Sequence, residues 1–348
     1  MGCLCPKVRE ALTAEDTTQP SKYSWEKRPK IDVKDYTIAN VKNTTMGRMP
    51  GTVDGQQFII EKCEDTNIYI FDHSASVTID DCINCRIFLG PVKTSVFVRD
   101  CKNCKIMTGC QQYRTRDCTQ IDSFLLCTTK PIIESSTEMK FSCFQYYYPQ
   151  LEEHFRSAQL STFNNNWSSI FDFTQVAGMP NLSLLPADIK VEDYIPLPTV
   201  EPFNSLEIDT DPLRSVVPVT LGSRERSSEE SCLMVFFSDG SSHDRAVRFI
   251  EKMKTEHPEV SLLQSSEVEM EKDEVERVFG SLSYQAAAKQ GPVIGLELCG
   301  DGVISFCQNQ IVNIMKGTTG LVFVSQNKAL ASKQIENFFN YSDMQMKI

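Results

Sequence analysis

The stretch Ile79-Asp80-Asp81-Cys82-Ile83-Asn84-Cys85-Arg86-Ile87 returns as Val98-Arg99-Asp100-Cys101-Lys102-Asn103-Cys104-Lys105-Ile106. Taken alone, Cys82-x-x-Cys85, fifteen residues and then Cys101-x-x-Cys104 has the spacing of a four-thiolate zinc site. The interval reaches further than a zinc site requires. Cys63, Cys82 and Cys101 stand 19 residues apart, as do Ile60, Ile79 and Val98, and Ile68, Ile87 and Ile106. In the copy before, the second thiol is Thr66; in a shortened copy beginning at Cys118 it is Ile121. Neither residue can stand in for a metal ligand. Short alternating apolar runs at a near-constant interval, with no helical period between them, predict a parallel β-helix whose coils bury their inward residues against one another. The cysteines are then small core residues in a ladder, and no metal centre is expected.

Carrying the 19-residue register through Gly90 and Gly109 places Ser76, Ser95 and Arg114 at equivalent positions on successive coils. Thr94 and Ser95 then lie one coil below Tyr113 and Arg114. The run Gln111-Gln112-Tyr113-Arg114-Thr115-Arg116-Asp117 gathers long polar side chains at one edge of an otherwise apolar ladder, which is the expected working surface. The plain alternative for Arg114 is a surface ion pair with Asp117 or Asp100.

Gln112-x-Arg114 after a coil glycine, Pro131-Ile132-Ile133-Glu134 in a later coil and Phe141-x-Cys143-Phe144 closing the stack resemble the tubulin-folding cofactor C family. The resemblance implies a right-handed parallel β-helix and activation of an Arf-like small GTPase in its GTP-bound state. GTP and Mg2+ would be carried by that partner, with no cofactor of the chain's own. Arg114 would act as an arginine finger, a cation supplied in trans to the charge that spreads over the transferred phosphoryl group. Gln112 would order Arg114 and the GTPase's own glutamine. Thr94, Ser95, Gln111 and Tyr113 would approach the nucleotide, and Glu134 and Phe173 would form the docking surface. Capture of the GTP form without catalysis is the alternative. The resemblance further implies a place at the plasma membrane and cilium base, in the delivery of lipidated cargo.

The start Met1-Gly2-Cys3-Leu4-Cys5 presents Gly2 for myristoylation and Cys3 for palmitoylation, although Pro6 stands where the myristoylation pattern has Ser or Thr. Two acyl chains are what stable anchoring takes, so contact with the cytoplasmic face of a membrane is expected there. No run of about 18 apolar residues offers a membrane-crossing helix. Fourteen cysteines in 348 residues, with no apolar leader, are read as thiols of a reducing cytosol. A net charge of -11 without a basic stretch excludes a nucleic-acid partner.

The expected organisation is an acylated N-terminus over 1–22, the β-helix domain over 23–187, a linker over 188–230 and an α/β domain over 231–348. The linker reading rests on prolines followed by the polar run Gly222-Ser223-Arg224-Glu225-Arg226-Ser227-Ser228-Glu229-Glu230-Ser231. Beyond it, strands over 233–237 and 292–298 and helices over 243–255 and 269–280 predict an α/β sandwich. Gly291-Pro292-Val293 before an apolar strand resembles nucleoside diphosphate kinase, which implies a ferredoxin-like fold. His73, His154, His243 and His257 all precede Gly291, so the phosphohistidine chemistry of that family has no residue to use. The domain is expected to bind a further partner instead.

Overall fold

The computed structural model describes residues 32–346, apart from 177 and 319. Two parallel ladders make the repeat real. One runs through Thr37–Ala39 (β1), Phe58–Glu61 (β3), Val77–Asp80 (β5) and Val92–Arg99 (β7); the other through Thr45–Arg48 (β2), Asn67–Ile70 (β4) and Arg86–Leu89 (β6). Both converge on the 15-residue strand Lys102–Arg116 (β8), whose first half pairs with β6 and whose second half pairs with β7. The stack continues through Thr119–Cys127 (β9), Ile132–Glu134 (β10) and Met139–Cys143 (β11), all parallel. After helix Leu151–Ser157 (α1), Phe171–Asp172 (β12) adds to β10 and Leu182–Leu184 (β13) adds to β11. This is a parallel β-solenoid.

Each coil turns between its two strands through a pair of residues at positive φ, such as Asp81 and Asn84, Asp100 and Asn103, and Asp117 and Gln120. Asn and Asp tolerate this left-handed backbone better than most residues because their short polar side chains bond locally. The cysteines follow these corner residues and point inward. Cys63, Cys82, Cys101 and Cys118 form one buried row, and Cys85 and Cys104 stand in another with Thr66 and Ile121. Their sulfurs donate to carbonyls of their own coil, as Cys101 does to Arg99 O (3.1 Å) and Cys85 to Ile83 O (3.3 Å). The zinc-like spacing is thus drawn out along two core ladders.

The outward side of the second ladder is covered. Tyr69, Phe88, Met107 and Phe124 follow one another in register across β4, β6, β8 and β9, and all are buried. Phe144, Tyr146 and Tyr148 after β11, Phe155 of α1, and Val191, Ile195, Phe203 and Val217 close over them. This corrects the linker over 188–230. Its sparse apolar residues insert into the aromatic row, Tyr69 Oη donates to Pro196 O at 2.7 Å, and Arg224 stacks on Trp167 at 4.7 Å. From Tyr36 onward the chain is accordingly one compact unit.

The α/β part runs Ser231–Phe236 (β14), Ser242–Glu256 (α2), Ser261–Val268 (β15), Lys272–Phe279 (α3), Gln285–Ala288 (α4), Val293–Cys299 (β16), Val303–Ile314 (α5), Val322–Val324 (β17) and Lys328–Gln345 (α6). Its sheet order β15-β16-β14-β17, antiparallel throughout, is ferredoxin-like. All seven residues of β16 are buried, because helices cover both faces. Gly295 meets Phe338 of α6 on one face, and Phe236 of β14 meets Phe249 of α2 on the other. The sheet is tied to the solenoid: Leu221 and Gly222 donate to Leu262 O and Leu263 O at 2.7 and 2.9 Å. Asn164 completes the tie, accepting from Glu267 N (2.6 Å) and donating to Glu267 O (3.0 Å).

Candidate functional site: the open edge of the solenoid

The outward side of the first ladder is left open where β7, β8, β10 and β12 run side by side. Alternation along a strand sends residues i and i+2 to one face. Gln112, Arg114 and Arg116 therefore point out of β8, while Tyr113 and Thr115 point in. Parallel pairing sets Phe97, Arg114, Ile132 and Phe171 opposite one another, and Arg99, Arg116 and Glu134 in the next row. At about 4.8 Å per strand, the row from Phe97 to Phe171 is roughly 14 Å long. Phe97 is 38% exposed, Phe171 52% and Phe173 63%, and the last two rings meet edge to face at 4.8 Å.

Within this apolar row Arg114 is exposed and makes no ion pair with any described residue. Of the two alternative partners, Asp117 is taken, since it pairs with Arg116 at 3.3 Å, and Asp100 forms no ion pair with Arg114. A guanidinium between two aromatic residues and an isoleucine, without a carboxylate of its own, is available to an external anion. Gln112 is half-buried beside it in sequence and accepts from Ser95 Oγ at 3.4 Å. Glu134 is exposed at the edge of the neighbouring row, and Phe173 comes directly after β12, its N–H donating to Ile133 O at 3.0 Å. Gln111 lies at the end of the face, its carbonyl accepting from Thr129 N and Oγ1. Thr94 is exposed, with its hydroxyl on Ala75 O at 2.8 Å.

Two expectations are corrected here. Arg114 is not the counterpart of Ser95: Ser95 pairs with Gln112, and Arg114 with Phe97. The interval is 19 residues between β6 and β8 (Arg86 with Lys105) but 17 between β7 and β8 (Ser95 with Gln112), so this coil is two residues shorter at its corner. A bulge between Val92 and Ser95 takes up part of the change. Tyr113 is the second correction. Its side chain is fully buried and its hydroxyl meets Ser123 Oγ at 2.9 Å, so it cannot touch a nucleotide. Burial also pushes its phenol pKa well above the usual value. Strand alternation was the signal that separates Tyr113 from Gln112 and Arg114, and it also points to Phe97, Ile132 and Phe171, which the motif reading passes over. Gly2 and Cys3 lie outside the described residues.

Residues 55–173 match the family model for tubulin binding cofactor C, a span that holds every residue of the open edge. The Protein XRP2 of Gallus gallus is 50% identical over 359 aligned residues covering 99% of each chain. The chain belongs to the XRP2 family. The Homo sapiens member of that family is 49% identical over 354 aligned residues, covering all of both chains. Among solved structures, Tubulin Binding Cofactor C from Leishmania major aligns with 24% identity and a TM-score of 0.31, over 38% of this chain and 88% of that one. The family alignment with the XRP2 proteins takes in the strap over 188–230 and the ferredoxin-like domain as well as the solenoid.

Proposed function

We propose that the open edge docks on the GTP-bound form of an Arf-like small GTPase and inserts Arg114 into its active site as an arginine finger. One observation carries the reading: Arg114 is an exposed guanidinium without an ion-pair partner among the described residues, set in a row of apolar side chains, while its neighbour Arg116 takes Asp117. In hydrolysis, water attacks the γ-phosphorus, the bond to the β,γ-bridging oxygen breaks, and charge moves onto that oxygen and the transferred phosphoryl. GTP and Mg2+ belong to the partner. Phe97, Ile132, Phe171 and Phe173 would exclude water around the guanidinium, which strengthens its hold on that charge. Gln112, fixed by Ser95, is a positioning residue for Arg114 and for the partner's glutamine. Acylation of Gly2 and Cys3 would hold this edge at the cytoplasmic face of a membrane, at the plasma membrane and cilium base, where lipidated cargo is delivered.

The test is single-turnover GTP hydrolysis by a panel of Arf-like GTPases with the wild-type chain and Arg114→Ala, beside a binding titration of each. Acceleration of one GTPase by wild type, lost in Arg114→Ala while binding persists, supports the finger. Binding of the GTP form with no acceleration by either chain makes the edge an effector surface and overturns the proposal. Mass spectrometry of the chain expressed in eukaryotic cells tests the anchor, which an unmodified Gly2 would rule out.

A further inference from the structure

We propose that Asp72, His73 and His154 bind a divalent transition metal, with zinc the best match to their chemistry. The cluster lies away from the open edge, where the turn after β4 meets helix α1. Asp72 Oδ1 stands 3.3 Å from His73 Nδ1 and 3.5 Å from His154 Nε2, and one ligand atom from each of the three residues falls within 4.8 Å of the others. Four ligands at about 2.0–2.1 Å around tetrahedral zinc are separated by about 3.4 Å. Two edges of such a tetrahedron are therefore already in place. Two imidazoles, which are borderline nitrogen ligands, beside a single hard carboxylate favour zinc over magnesium or calcium.

The surroundings have the outer-shell pattern of a metal site. A ligating histidine ordinarily has its second ring nitrogen tied down, and His154 Nδ1 is held by Tyr148 Oη at 2.7 Å. The Asp72 carboxylate is fixed by the N–H groups of Val53 (2.7 Å), Asp54 (2.9 Å) and His73 (2.9 Å). Asp72 is 1% exposed and His154 is buried with it, so the ligand atoms face one another away from bulk solvent. His73 is only partly buried and gives the ion a way in. Asp54 lies on the far ring nitrogen of His73, at 4.0 Å, so the fourth position is left to water. Tyr148 Oη donates to a bare Nδ1 or accepts from Nδ1–H, according to the tautomer of His154. With metal, Nδ1–H donates to Tyr148 and Nε2 becomes a ligand. The same geometry thus serves a proton or a metal ion, and bound metal would pin α1 to the covered face of the solenoid.

The experiment uses the full chain, reduced and stripped with chelator, then titrated with Co(II) alone and with Zn(II) alone. The expected result is one equivalent of Co(II) with the visible bands of a tetrahedral nitrogen and oxygen site, displaced by Zn(II). Zinc at a hundredfold excess over its dissociation constant should raise the melting temperature by about 4 °C. His154→Phe keeps a ring against Tyr148 and should leave the metal-free melting temperature within about 2 °C, while weakening metal binding on the order of 100-fold. His73→Gln should weaken it similarly, so one variant suffices if the other does not fold. No uptake by wild type, a sulfur-to-cobalt charge-transfer band showing that cysteines hold the ion, or undiminished binding by a folded variant would each overturn the proposal.

Discussion

The solenoid has two outer faces built alike and used differently. On one, Tyr69, Phe88, Met107 and Phe124 form an apolar row that the chain covers with α1 and the 188–217 strap. On the other, Phe97, Arg114, Ile132 and Phe171 form a row that nothing in the described chain covers, and it carries a cation in its middle. Apolar side chains repeated along a stack need a cover, because exposed apolar patches cost free energy in water. Where the chain supplies the cover, the row is core. Where it does not, the row stays exposed among the described residues and is our proposed interface, and an uncovered arginine there costs little while water solvates it.

This contrast can be tested by substitutions at matched positions. On the open face, Arg114→Ala should lower GTPase stimulation by roughly 10³- to 10⁵-fold, with Arg114→Lys no substitute, and unfolding free energy should stay within about 0.5 kcal/mol. Stimulation would be read in single-turnover hydrolysis and stability in urea titrations. On the covered face, Phe88→Ala removes a ring stacked on Tyr146 at 4.2 Å and should cost about 3–5 kcal/mol of stability in the same titrations. Its open-face counterpart, Phe171→Ala, should weaken binding of the GTP-bound partner by about 1–2 kcal/mol and leave stability nearly unchanged. If Phe171→Ala destabilised the fold as Phe88→Ala does, the two faces would not differ as described. The least change is expected for Ser95→Ala, which removes a 3.4 Å bond to Gln112 and should reduce stimulation by no more than about fivefold, roughly 1 kcal/mol.

The coils themselves were readable because a solenoid packs each repeat only against its neighbours, so the 19-residue interval records contacts directly. The cysteine rows follow from the same interval, and so does the rejection of the zinc-like spacing as a motif. In the α/β part, β14, β16 and α2 were visible from periodicity, while β15, α5, β17 and α6 were not anticipated. The mixed polarity of Ser261–Val268 hides an edge strand that is finished by Asn164 and Leu221 from distant parts of the chain. The residues over 188–230 read as a linker because Val191, Ile195, Phe203 and Val217 are sparse among polar neighbours. They bury because an aromatic row happens to lie beneath them.

At the open edge, Gln112, Arg114, Glu134 and Phe173 do reach one face, but the register assigned from the repeat was wrong by two residues. No local signal marks which corner of a coil is shortened, since both Gly90 and Gly109 keep the apparent interval. The Asp72, His73 and His154 cluster has no sequence signature at all, because a turn and a helix bring its histidines together from remote positions.

The sequence alone thus determined that coils stack, which residues face their core, and that an arginine stands with other long polar side chains at one edge of them. Folding in three dimensions decided that Arg114 opposes Phe97 and Ile132, that Arg116 removes its acidic neighbour, and that, among the described residues, the Arg114 face of the solenoid stays open. The reason is range: period and alternation encode contacts between adjacent repeats, whereas cover, charge pairing and coil shortening depend on segments far apart in the chain.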